Sequence, residues 1–413
     1  MSRTRDGAAV EQAQSAEVAA AEGATGVPPL TAIMAAVFMV AAEARVIAPL
    51  LPALAGEFET TVARAGLLIT AYSIPYGLFQ LVYGPLADRF SRQRVIGAAL
   101  ALFALGTFVS AFAPNILALD LLRFCTGAAG AGVIPVALAY VGDAVAYEGR
   151  QAALGRVVSI ASLGGVLSAS MGGVIATVLS WRAIFFVYGI VALLVAVLLL
   201  RLPVVRTRPA GAAKRGFFAP YVAVFEQAGW RALALYMLVF FEGFAATSTV
   251  GYLGAFLFER DRLSYATIGL LLTLSGIASI ATGRLIGPLV IRLGERGMLL
   301  AGGSLMAVSY LVAGLRPMPI FFPLAMLMAG TGFPIAHSTL QARATEIVPD
   351  MRGTAVALFA FSLFLGGGLG TWVAGMGIDR WGFGVTLPAT AVALLIFTAV
   401  SWPVMRLVRG NDR

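Results

Sequence analysis

Twelve apolar runs, at residues 30–54, 65–87, 95–113, 116–141, 152–179, 183–202, 232–257, 265–290, 298–315, 319–344, 354–375 and 384–405, alternate with short stretches rich in charge, glycine and proline. A run of about 20 apolar residues matches the bilayer core, and a backbone crossing that core must satisfy its own hydrogen bonds as a helix or a closed barrel. Runs this long predict twelve spanning helices, an all-α polytopic membrane protein. Only Pro114 and Asn115 divide the third run from the fourth, so a tight turn is expected there. One helix from 95 to 141 would be far longer than the roughly 30 Å it has to cross.

The rest of the 413 residues divides around these runs. Residues 1–29 are Ala-rich and polar, without the apolar core of a secretory signal, and read as a disordered cytoplasmic tail. Residues 30–202 and 232–405 form two six-helix bundles, joined by a Pro-, Gly- and Arg-rich linker at 203–231, and 406–413 form a second tail. A shift of 203 places GPLADRFSRQ (84–93) on GPLVIRLGER (287–296) and Asp143 on Glu346, so the halves are read as a repeat.

Composition agrees: 60% of residues are hydrophobic and 12% charged, which leaves no room for a large soluble domain. The net charge of +9 invites a nucleic-acid reading. With the N-terminus inside, however, most Lys and Arg fall at cytoplasmic ends and loops, as the positive-inside rule requires. Both termini are expected in the cytoplasm, the membrane is expected to be the plasma membrane (the inner membrane in a bacterium), and membrane lipid, not nucleic acid, is the partner this charge implies. Cys125 is the sole cysteine, so no intrachain disulfide is expected, and no cluster suggests a metal or cofactor. Phosphate loops, His-rich clusters and nucleophile elbows are missing from the sequence, so no enzyme chemistry is expected.

Between the second and third runs stand Gly84, Leu86, Asp88, Arg89, Arg92 and Arg94. This motif resembles the signature of the major facilitator superfamily, with Ser91 where that family usually has glycine, and the resemblance extends from the first span to the last. It implies two pseudo-symmetric six-helix bundles and transport by alternating access. It also implies that Gly84 packs close to the GGGLG of the eleventh span (366–370), and that Asp88 faces the start of that span near Gly353 and Thr354. With Arg92 bridging to the same carboxylate, these groups would latch the cytoplasmic side shut. In the second half Ile291 replaces the aspartate.

Arg123 followed by Gly127 in the fourth span is similar to the superfamily's intramembrane pair, and Asp120, three residues earlier on the same face, would neutralise the arginine. In the fifth span Gly155, Gly164, Gly172 and Gly173 follow the glycine spacing of drug:proton antiporters, while Ser168 and Ala169 stand where that pattern has Gly-Pro. The resemblance makes these glycines packing positions against the eighth span.

Ionisable residues at membrane depth are costly and mark a pathway. Here they are Glu43 and Arg45 in the first span, Arg123, Glu242 in the seventh and His337 in the tenth, with Asp120 nearer the surface. A carboxyl that is neutral in one state and charged in another meets the requirement of proton coupling. Glu242 is expected to be the easier to protonate and Glu43 the more tightly paired, while His337 is either a relay or a packed neutral ring. Proton-coupled export of a small, lipophilic or cationic molecule by a functional monomer follows from the resemblance. Two alternatives stand: proton-coupled import of a nutrient or anionic metabolite held by Arg45 and Arg123, and a transporter-like sensor or scaffold that moves nothing.

Overall fold

A computed structural model describes residues 29–204, 218–315 and 321–409. Residues 1–28, 205–217 of the linker, 316–320 and 410–413 lie outside it. Among the described residues every regular element is helical. The second span is Val62–Arg89, the third Arg92–Ser110, the fifth Tyr147–Val178, the sixth Trp181–Arg201, the eighth Tyr265–Gly283, the ninth Ile286–Leu315, the tenth Phe321–Glu346, the eleventh Arg352–Trp381 and the twelfth Phe383–Arg409. Eleven stretches are long and apolar enough to cross a membrane. The tenth-span helix, whose second half turns polar at His337-Ser338-Thr339, is the remaining one.

Three spans are broken. The first is Pro29–Glu43 followed by a turn of 3-10 helix at Ala48–Leu50 and then Leu51–Glu57; the fourth is Ile116–Gly130 then Ile134–Ala144; the seventh is Trp230–Thr247, Val250–Tyr252 and Leu253–Asp261. Pro49 and Pro135 each stand within the first two positions of the segment after a break. Proline has no N–H to continue the preceding ladder and is preset for a new helix start. At the division of the third and fourth spans, the Asn115 side chain accepts from the Ala118 N–H and caps the new helix.

Two expectations need correction. The eighth span ends at Gly283, not near 290, because the chain turns at Arg284 and Leu285 and enters an exposed helical stretch that bends at Gly294, whose φ of 62° suits glycine. Part of the expected linker is also helical: Ala219–Ala228 buries Tyr221 and Val224 and packs on the seventh and eleventh spans.

Most buried apolar residues fall into two clusters, one per six-span half. The halves meet mainly where the second span lies along the eleventh and the fifth along the eighth. Where the clusters interpenetrate, Tyr252, Ala255, Ala374 and Ile378 of the second half join the first cluster, while Ala48 and Ala169 join the second. All six lie toward the end that carries the turn between the first and second spans. There Tyr252 Oη lies within hydrogen-bonding distance of the Ala63 and Thr371 carbonyls, and Thr61 donates to Asp379 at 2.9 Å. That end is sealed.

Candidate functional site

In the first half the fourth span approaches the second so closely that a Cβ on Gly127 would lie 2.3 Å from the Tyr72 carbonyl oxygen. Only glycine permits this approach. It lets Arg123, one turn earlier, pass over the Tyr72 ring at 4.3 Å and ion-pair with Glu43. Both partners are buried, with side-chain exposures of 1% and 0%. The pair is not saturated: Glu43 Oε2, Arg123 Nε and Tyr72 Oη have no hydrogen-bond partner. Asp120 does not neutralise Arg123 as the helix spacing suggested, since its partner is Arg64 of the second span. Arg45 makes no ion pair with Glu43, and its backbone N–H donates to Ser168 Oγ at 3.2 Å.

In the second half Glu242 is fully buried, and both its oxygens lie near His337 Nδ1, at 3.2 and 3.3 Å. The His337 ring sits against Phe333, centroids 4.8 Å apart, and Phe359, 5.1 Å apart. Close backbone approach again places the acid: a Cβ on Gly243 would meet the Leu363 carbonyl at 2.1 Å. The seventh span therefore lies directly on the eleventh. The two mid-membrane carboxyls thus have different partners, a guanidinium for Glu43 and an imidazole for Glu242.

At the end opposite the sealed one, the motif is arranged differently from the expectation. A Cβ on Gly84 would meet Tyr221 Oη of the connecting helix at 3.4 Å, not the eleventh span. Tyr221 donates to the Leu81 carbonyl at 2.8 Å. Burial and the nearby Asp88 charge push the Tyr221 hydroxyl up to about 12, which keeps it a donor. The eleventh-span glycines face elsewhere, Gly366 and Gly370 on the seventh-span backbone and Gly368 on Ile74. Asp88 is exposed, with Arg92 at 3.9 Å, while Arg92 sits 3.1 Å from Asp143 and donates to the Ala139 carbonyl. Arg89 is exposed at the same helix end, and Gly353 has open space around it. The expected latch between Asp88 and the eleventh span is therefore unmade here, as suits a carrier parted at this end.

The 203-residue shift places Arg92 on Glu295 and Asp143 on Glu346. Glu295 pairs with Arg343, which also reaches Glu346 at 2.9 Å. Both halves tie residue 92 or its counterpart 295 to the end of their fourth helix, with the signs of charge exchanged.

The fifth-span small residues divide between two neighbours. Gly164 and Gly172 press on the first span at the Phe38 and Val46 carbonyls, and Gly173 on the eighth at Tyr265. Gly155 has nothing within 4 Å of where a Cβ would stand and is not a packing position in this structure.

The Major Facilitator Superfamily model matches residues 33–261 and again 235–411. The chain belongs to this superfamily. Its members are transporters, not enzymes, and the chain is a multi-pass membrane protein. An uncharacterized transporter of the superfamily, YceJ of Bacillus subtilis, is 29% identical over 348 residues, 82% of this chain and 86% of that one. A probable sugar efflux transporter of Helicobacter pylori is 26% identical over 336 residues, covering 81% and 84%. The lincomycin resistance protein of Streptomyces lincolnensis is 34% identical over 167 residues, covering 39% and 34%. In fold, the chain resembles a bacterial homolog of the lysosomal transporter Spinster, crystallised inward-facing, with a TM-score of 0.74, 19% identity and coverage of 92% and 96%. Tyr72, Arg64 and the Glu242–His337 pairing were not legible beforehand, because tyrosine and a span-end arginine give no depth signal and pairing depends on helix rotation.

Proposed function

We propose that this protein is a proton-coupled exporter of a small molecule, working by alternating access between its two halves. With basic residues facing inward, both termini lie in the cytoplasm of a plasma-membrane carrier, and the open end faces the cytoplasm. Export is supported by the resemblance to efflux and antibiotic-resistance proteins and by the fifth-span glycine spacing.

The observation that carries the reading is the Glu242–His337 pair. Charging a carboxyl with no exposed surface is costly unless a cation is beside it. His337, whose side chain keeps 18% exposure, becomes that cation on taking a proton from the cavity. The pair therefore gains and loses one proton together, at the interface between the tenth and seventh spans. Proton loading from outside would accompany substrate release there, and proton loss to the cytoplasm would reset the carrier. Glu43, held by Arg123, is the positioning partner in the opposite half.

The test is pH-gradient-driven uptake of lincomycin, glucose, tetraphenylphosphonium and benzoate into inside-out vesicles. Glu242→Gln and His337→Asn should each abolish the gradient dependence of whichever compound is moved. If both variants keep full gradient-driven flux, the coupling assignment fails.

A further inference from the structure

Arg45 lies at the break in the first span, after the helix ends at Glu43 and before the turn at Ala48–Leu50. The residues that follow it, Val46, Ile47 and Ala48, are buried, yet Arg45 is exposed. Its side chain makes no ion pair or hydrogen bond among the described residues. Lipid does not account for the exposure, because this span is packed against the fifth and sixth of its own half, and its break against the seventh and eighth of the other. Along the same helix, Thr31 is exposed and Met34 and Phe38 are half-buried, a stripe at helical spacing that runs from the open end to Arg45. Beyond it the path is closed. A Cβ on Gly172 would meet the Val46 carbonyl at 2.7 Å, and one on Gly254 the Ala48 carbonyl at 2.6 Å. Arg45 thus stands where this stripe ends against the packed break.

The break is held from the fifth span. Neighbouring amides at 44, 46 and 48 bond within the first span, whereas the Arg45 N–H goes to Ser168, which is fully buried. Ser168 occupies the position where the antiporter spacing has glycine, and its hydroxyl supplies the acceptor that the broken ladder lacks. The two mid-membrane carboxyls are already engaged by Arg123 and His337. The unengaged charge at the end of the stripe is positive, and a guanidinium without a counter-charge at this depth is a standing site for an arriving anion.

We infer that Arg45, positioned by Ser168, binds the negative group of the transported molecule, and that the substrate class is a small organic anion whose apolar body lies along Met34 and Phe38. This rests on the transporter reading above and reverses the preference for a cation. The test uses the full-length protein purified in detergent, treated with phenylglyoxal and read by peptide mass spectrometry, with benzoate, benzylamine or benzyl alcohol as probes of matched shape and different charge. Arg45 should be modified and Arg123 spared, and benzoate should slow the modification of Arg45 several-fold while the other two leave it unchanged. Ser168→Ala should leave Arg45 reactive but abolish protection by benzoate, and Ser168→Thr should keep it. An unreactive Arg45, or equal protection by all three probes, overturns the inference. Since no coupling residue is altered, benzoate selectivity can survive failure of the proton assignment, and the reverse also holds.

Discussion

The Glu43–Arg123 pair makes an asymmetric prediction. Both side chains are buried, and each is the other's charge partner. Removing one partner of such a pair typically costs about 3–5 kcal/mol, because the remaining charge is left uncompensated, whereas replacing both groups is close to neutral. The remaining groups differ, however. A stranded carboxyl neutralises by taking up a proton; a stranded guanidinium cannot lose one. Glu43→Gln should therefore carry a penalty of about 3–5 kcal/mol at any ordinary pH. Arg123→Gln should cost less, with a deficit that shrinks as the medium is acidified. The double variant should recover more than half of the Glu43→Gln loss. Equilibrium unfolding by dodecyl sulfate in mixed micelles measures all four proteins, and the double-mutant cycle isolates the coupling. Additive single effects, or a Glu43→Gln protein as stable as the wild type, would show that the two groups do not hold each other.

Other expectations follow from the packing and the open end. Gly127→Val places a side chain on the Tyr72 carbonyl and should destabilise by about 1–3 kcal/mol or prevent folding, seen as loss of the monodisperse peak in gel filtration. Gly254→Val should wedge the sealed end at Ala48 and increase labelling of cysteines placed at Thr61 and Ser264, where unchanged labelling would refute it. Asp88→Asn should favour the conformation open at the motif end, checked by labelling of cysteines placed on that side. Tyr221 stays protonated in the fold up to about 12, while a free tyrosine ionises near about 10. Its contribution is therefore complete below about 10 and is lost as the pH climbs to about 12, so wild type and Tyr221→Phe should converge in stability over that window.

Hydropathy alone determined the membrane class and eleven of the twelve spans, because transfer into lipid acts on each residue by its own chemistry, whatever its neighbours; the tenth, polar in its second half, stands on the repeat and the fold. The motif around Gly84 and the 203-residue repeat made the two-half architecture legible, and membrane depth marked Glu43, Arg45, Arg123, Glu242 and His337 as costly groups. What sequence left undecided was which of them meet. Asp120 and Arg123 share a helix face, yet Arg64 takes the aspartate and Glu43 the arginine. Such partnerships depend on the rotation and separation of helices far apart in the chain, which backbone contact at Gly127 and Gly243 sets. The approach of Ser168 to the Arg45 amide and the closing of one end over the other belong to tertiary structure for the same reason. Burial energies act residue by residue, whereas pairing and access depend on where two surfaces are brought together.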